Sequence, residues 1–149
     1  MAGVLLALNP GPISTGVAAK TVLQVVAAAN QRVKIKEIEI SFDGVASTDV
    51  PIKVEWVRQS TAGTMTSLTP VKWNESDGET LQTAANKTAT AEPTTGDILR
   101  TWYIHPQGGG EVWQARWDGE LIVKGGNRCG LRVTAGVSVN CVPFMLCEE

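Results

Sequence analysis

The chain has 149 residues, a formal net charge of −2 and an isoelectric point of about 5.5. We expect a chain of this length to form one domain that buries roughly 70% of its unfolded surface, which is enough for a core without disulfides or metals. Because the lysines and arginines form no basic run, neither a nucleic acid nor an anionic membrane is expected as a partner.

The first 19 residues begin with large aliphatic side chains and then reach Asn9-Pro10-Gly11-Pro12, a run that stops regular structure. The aliphatic residues are Val4, Leu5, Leu6 and Leu8. We predict that residues 1–19 form an N-terminal arm and that residues 20–149 form a single domain. The arm has two alternative structures: an edge strand on its own subunit, or an extension that places its leucines on a neighbouring subunit. Its apolar run is too short to span a bilayer and lacks a basic leader, so a soluble, non-secreted product is expected.

Residues 21–27 fit either a helix or a strand, because their valines have both spacings. Their density of β-branched side chains favours a strand. Residues 33–42 alternate between apolar and polar side chains, which is typical of a half-buried strand. We expect these two strands to form the first antiparallel hairpin of a sheet.

The apolar parity of this second strand shifts by one residue between Ile35 and Ile38. Such a shift predicts a β-bulge at Lys36-Glu37, which bends a strand and keeps its apolar side chains inward. A polar Asp43-Gly44 turn then leads towards another alternating strand at residues 52–56. The sequence therefore predicts a curved sheet.

Residues 60–96 are rich in Thr, Ser, Ala, Asn and Glu and have few large apolar side chains. A structureless loop of this length is unusual inside a compact domain. We therefore predict short strands around residues 64–71 and 79–90, separated by a turn at residues 74–78.

Strand patterns return at residues 98–104 and 111–117, on either side of a glycine-rich loop. If this loop closes a symmetric hairpin, one face holds Leu99, Tyr103, Trp113 and Trp117. The opposite face then holds Arg100, Trp102 and Arg116. Two arginines directly across a sheet repel each other unless an anionic group lies between them, so this second face is a candidate interface.

The last segment has a single parity of small and apolar side chains, which predicts one long strand or two strands with a corner at Gly136. The residues of this parity are Cys129, Leu131, Val133, Ala135, Val137, Val139, Cys141, Met145 and Cys147. An odd number of cysteines without a CxxC pair fits neither a disulfide framework nor a zinc site. We expect the cysteines to be buried, reduced thiols.

About eight antiparallel strands without a clear helix predict an all-β fold, namely an antiparallel β-sandwich of jelly-roll type. Long connections between strands favour two facing sheets over a simple meander.

Six short runs resemble a family of small phage-encoded β proteins. They are residues 20–25, 30–33, 40–44, 90–93, 105–109 and 130–135. These proteins are similar to head decoration, or cement, proteins with a jelly-roll fold of the tumour-necrosis-factor type. The resemblance covers most of the chain from Lys20 onward. It implies a homotrimer on the capsid surface of the virion, with the major capsid protein as its partner.

The motifs of common enzymes are missing from the sequence. His105 is the single histidine, whereas the metal site of a cupin needs several. No Gly-x-Ser-x-Gly elbow accompanies it, and a lone histidine in a glycine-rich loop is typical of the surface. We predict no catalytic residue, no cofactor and no metal site.

The alternative function is a receptor- or carbohydrate-binding module of a phage tail fibre or spike. Its sequence signal is the aromatic set Trp102, Tyr103, Trp113 and Trp117, because exposed indoles stack on sugar rings. Packing of these side chains in the core of a sandwich explains the same set.

Overall fold

The computed structural model describes residues 3–45, 50–116 and 118–149. All regular elements of these residues are β-strands, and they include no helix long and apolar enough to cross a membrane. In chain order the described strands are β1 (Leu5–Leu8), β2 (Ile13–Ser14), β3 (Lys20–Val26), β4 (Val33–Phe42), β5 (Ile52–Gln59), β6 (Thr64–Leu68), β7 (Val71–Lys72), β8 (Ala84–Ala91), β9 (Thr95–Ile104), β10 (Gly110–Gln114), β11 (Leu121–Val123), β12 (Arg128–Thr134) and β13 (Asn140–Glu148).

The strands form two antiparallel sheets that pack face to face. Among the described residues, sheet I has 7 strands in the order β10-β4-β13-β1-β7, with β11 also paired to β4 and β2 also paired to β13. Sheet II has 6 strands in the order β6-β8-β3-β12-β5-β9. The predicted all-β fold, an antiparallel β-sandwich of jelly-roll type, is confirmed.

The predicted hairpins are wrong, because the strands that they join lie in different sheets. Strands β3, β4 and β5 lie in sheets II, I and II, and β9 and β10 also lie in different sheets. The long partner of β4 is β13, whereas β3 and β5 both pair with β12. Alternation of apolar residues determines which side of a strand is buried, but it contains no information about which strand lies alongside.

The predicted bulge of β4 is confirmed at Lys36. Glu37 pairs with Leu146 and Ile35 pairs with Cys147, so Lys36 is the extra residue between two ladder positions. On the other side of β4, the pairing with β10 ends at Glu37 and the pairing with β11 begins at Ile35. The bulge therefore lies where β10 and β11 separate, and it keeps the apolar side of β4 inward on both sides of the break.

The opening segment forms strands of its own subunit. Strand β1 lies between β13 and β7 in sheet I, and β2 pairs with β13 further along. The run Asn9-Pro10-Gly11-Pro12 forms the connection between β1 and β2, as its composition predicts. Residues 5–14 thus belong to the same sheet as strands from beyond residue 20, and β1 is internal to that sheet.

The core lies between the sheets, and most of its side chains are aliphatic. From sheet I it contains Leu6, Leu8, Ile35, Ile38, Ile40 and Met145; from sheet II it contains Leu23, Val25, Val54, Trp56, Leu131 and Val133. The last segment supplies two strands, with β12 in sheet II and β13 in sheet I, and the corner between them includes Gly136. Because side chains of one parity point inward in both strands, Cys129, Cys141 and Cys147 are buried as free thiols.

Candidate interaction surfaces

The aliphatic residues at the start of the chain divide between the core and the surface. Leu6 and Leu8 are fully buried and Val4 is nearly so. Leu5 has the opposite parity in β1 and lies half-buried on the outer face of sheet I. These four residues were a candidate interface with a neighbouring subunit. The structure instead buries three of them within the chain itself.

Arg100 and Trp102 belong to β9, the edge strand of sheet II. Trp102 pairs with Val54 and packs against the core, and its buried indole N–H has no acceptor among the described residues. The guanidinium carbon of Arg100 lies 5.2 Å from the centroid of the Trp102 ring. This cation–π contact holds the arginine side chain over the rim of the sandwich.

Arg116 lies just beyond β10, the edge strand of sheet I, yet the structure brings it to the same depression as Arg100. The depression has a volume of about 460 Å³ and opens between the edges of the two sheets. We call it the basic groove, and its lining residues are Arg100, Val112, Trp113, Gln114, Arg116 and Gly119. The predicted hairpin is wrong, but both arginines line the same depression, because strands β9 and β10 lie at the edges of facing sheets.

A second depression of about 760 Å³ adjoins the basic groove and shares Val112, Gln114 and Arg116 with it. Its far side is lined by Lys36 of the bulge and by Glu120. Here opposite charges are already paired, because Lys36 Nζ lies 2.6 Å from Glu120 Oε1. The two depressions therefore form one surface whose unpaired charge is on the arginine side.

The salt bridges of Lys36 explain its pKa and those of its partners. Its Nζ also lies 2.8 Å from Glu148 Oε2, and Lys34 Nζ lies 3.3 Å from Glu148 Oε1. Hydrogen bonds to Glu120 and then to Glu148 raise the pKa of Lys36. The same bonds from Lys36 lower the pKa of both carboxyl groups. By contrast, neither Arg100 nor Arg116 forms an ion pair within the described part of the chain.

The outer face of sheet I carries a continuous set of apolar side chains, which we call the apolar face. Its residues are Leu5, Ala7, Val71, Trp73, Val142, Phe144 and Leu146. Val71 and Trp73 are 63% and 56% exposed, and the rings of Trp73 and Phe144 are 6.4 Å apart. Soluble monomers rarely expose large contiguous apolar patches, so this face is a candidate for contact with another protein.

Sequence reasoning missed the apolar face, although the last segment held a signal for it. In β13 the buried parity alternates with Val142, Phe144 and Leu146, so the strand is apolar on both sides. A strand with apolar residues on both faces is typical of one covered on both faces. Alternate residues of β13 point into the core, and the residues between them form part of the apolar face.

The aromatic residues do not form a common platform. Trp113 packs on Trp56 across the sandwich, with ring centroids 4.7 Å apart, and Trp102 also packs against the core. Tyr103 points away from them and is 70% exposed. Trp117 lies outside the described residues. Core packing therefore explains Trp102 and Trp113, but not the exposed Tyr103.

His105 has a structural role in its loop. The imidazole is exposed, and its Nδ1 accepts a hydrogen bond from the backbone N–H of Gln107 at 3.1 Å. Among the described residues, no group of three or more histidine, cysteine, aspartate or glutamate side chains is placed to hold a metal ion.

Comparisons of the chain with models of protein families, with curated proteins and with solved structures find no match. The resemblance to head decoration proteins in the six short runs therefore gains no support from them. A functional assignment depends instead on the geometry of the two surfaces, the basic groove and the apolar face.

Proposed function

We propose that the protein is a structural virion protein, a capsid decoration or cement protein that binds the outside of a phage head as a homotrimer. In this proposal it acts without catalysis, and its partner is the major capsid protein. The observation that supports it best is the presence of two chemically different exposed surfaces on one small sandwich. An apolar face suits permanent contact between subunits, whereas a charged groove suits docking on another protein.

The apolar face supports the trimer, with further copies of this chain as its occupant. Interfaces of obligate oligomers resemble the core of a domain, and this face combines aromatic and aliphatic side chains on a regular sheet. Beside it lie charges of both signs, including Lys34, Lys36 and Glu148. In a cyclic trimer each interface joins two different patches of neighbouring subunits. Charges of both signs at the rim allow a positive patch of one subunit to lie against a negative patch of the next.

A trimer also suits the symmetry of a capsid, where subunits meet at local threefold positions. A protein that binds only the assembled shell stabilises that shell, since binding lowers the free energy of the assembled state alone. The gain grows with the logarithm of the ratio between free protein concentration and dissociation constant. No enzymatic step is needed for this effect.

The test uses purified protein and mature, expanded heads that lack it. We expect the protein to co-sediment with the heads, to saturate at a fixed copy number per head, and to raise the temperature at which the heads rupture. Indifference to heads together with retention on host cells or glycans would overturn the proposal in favour of a receptor- or carbohydrate-binding module of a tail fibre or spike.

A further inference from the structure

We propose that the basic groove is a binding site for an extended acidic segment of the partner protein, whose carboxylates lie between Arg100 and Arg116. This inference rests on the proposed function, since it identifies the chemistry by which the shell is recognised. Its experimental consequences are nevertheless measurable without heads.

The charge of the groove favours an acidic ligand. Two guanidinium groups line one depression, and neither has an acidic partner in the described residues. Glu120, which lines the adjoining depression, is already bound to Lys36 at 2.6 Å, and Asp118 forms no ion pair with Arg116 in the described structure. Like charges in one groove repel each other, and a carboxylate between them replaces repulsion with charge-assisted hydrogen bonds.

The shape of the arginine side chains favours carboxylates in particular. A guanidinium presents a planar fork of N–H donors that matches the two oxygens of a carboxylate. Arg100 is held over the Trp102 ring, so less side-chain freedom is lost when it binds a ligand. Trp113 and Val112 add apolar surface beside the arginines, which suits an acidic segment that also contains apolar residues.

The position of the groove favours a peptide over an acidic sugar. The groove opens between two sheet edges, because β9 pairs only with β5 and β10 pairs only with β4 among the described strands. Edge strands present unpaired backbone N–H and C=O groups. An extended peptide can pair with such groups as an added strand while its side chains reach neighbouring pockets. The groove thus offers backbone pairing and carboxylate recognition together.

The experiment compares the wild-type protein with the double variant Arg100→Gln/Arg116→Gln. The matched control is Arg32→Gln/Lys124→Gln, which removes the same number of positive charges from exposed positions outside the groove. The probe is a short glutamate-rich synthetic peptide, and its glutamine-rich counterpart is the ligand control. Binding is measured by calorimetry at several salt concentrations, and far-ultraviolet circular dichroism checks the fold of each variant.

We expect the glutamate peptide to bind the wild-type and control proteins and to bind more weakly as salt is added. The groove variant should lose about tenfold or more in affinity for it, and about as much in affinity for heads. Equal binding of the peptide by the groove variant would overturn the inference, and so would equal binding of the glutamine peptide. Binding of a polyuronate with no binding of the peptide would also overturn it, in favour of an acidic sugar.

Failure of this inference differs from failure of the proposed function. If all three proteins bind heads equally well, the protein is a head-binding protein that uses another surface, and the groove assignment is wrong. If the wild-type protein does not bind heads, the proposed function is wrong. In that case the peptide titration alone decides whether the groove recognises acidic segments.

Discussion

The indole of Trp113 in sheet I packs against the indole of Trp56 in sheet II, with ring centroids 4.7 Å apart and ring planes inclined at 60°. Trp56 in turn donates its N–H to Cys129 Sγ at 2.8 Å, inside the core. Since Trp113 also lines the basic groove, the floor of the groove is continuous with the core of the sandwich. The proposed binding site and the core of the fold therefore share Trp113.

The first prediction concerns the stability of this pair. Trp113→Ala removes a half-buried indole and its tilted contact with Trp56, so we expect the free energy of unfolding to fall by about 2–3 kcal/mol. Tyr103→Ala is the control, because Tyr103 is 70% exposed and should change stability by less than about 0.5 kcal/mol. Denaturant unfolding followed by circular dichroism measures both. Equal losses in the two variants would contradict the assigned packing.

Strand β4 shows which features of the fold the sequence predicts and which it does not. The shift of parity between Ile35 and Ile38 correctly predicts the bulge at Lys36, because a bulge is a local event. The partners of β4 were not predictable in the same way, since pairing with β13 joins residues that are far apart in the chain. The periodicity of side chains along a strand does not specify which distant strand pairs with it.

The candidate surfaces show the same division between local and long-range information. The sequence places Arg100 and Arg116 together through a hairpin that does not form. They line one depression because they lie at the edges of two facing sheets. The apolar face combines residues of β1, β7 and β13, whose adjacency comes from the topology. From the sequence alone, only the β13 residues of this face can be recognised, because Val142, Phe144 and Leu146 alternate with the buried residues of that strand.

The second prediction concerns the cysteines. Burial raises the pKa of Cys129 and of Cys141 to about 12 and raises that of Cys147 as well. Because the thiolate is the reactive form, thiol reagents should not modify the folded protein near neutral pH and should modify all three cysteines after unfolding. The melting temperature should not change with a reductant or a chelator. Rapid labelling of the native protein would contradict this burial.

The pKa of these thiols also predicts a loss of stability at alkaline pH. Their folded-state pKa lies above the unfolded value of 9.0, so the unfolded chain loses these protons first as pH rises. The stabilising contribution is complete below that value and falls as pH rises from about 9 towards the folded-state pKa of about 12. Cys141→Ser should flatten this part of the profile, which pH-dependent denaturant unfolding can measure.

The third prediction concerns the salt bridges of Glu148. Its pKa is held below 4.5 by the hydrogen bond from Lys36, so its contribution is present above that pH and is lost as pH falls through the folded-state pKa. Glu148→Gln should cost less than about 1 kcal/mol near neutral pH, because the pair is partly exposed. The difference from wild type should disappear in acid. Glu39→Gln is the control, since Glu39 is exposed and has no ion pair in the described structure.

The last prediction tests the assembly assigned to the apolar face. Val71 lies on the outermost strand of sheet I and is 63% exposed, so Val71→Asp should leave the fold of a subunit intact. In a trimer that buries this face, the same substitution places an unpaired carboxylate in an apolar interface, which is strongly unfavourable. Light scattering should give a mass three times the 15.9 kDa of the chain for the wild type and the mass of one chain for the variant.

Val17→Asp is the matched control, because Val17 is 67% exposed on a loop outside the apolar face and its substitution should leave the trimer unchanged. Dissociation by both variants would show a general effect of added charge, and a wild-type protein that is monomeric at micromolar concentration would contradict the trimer itself.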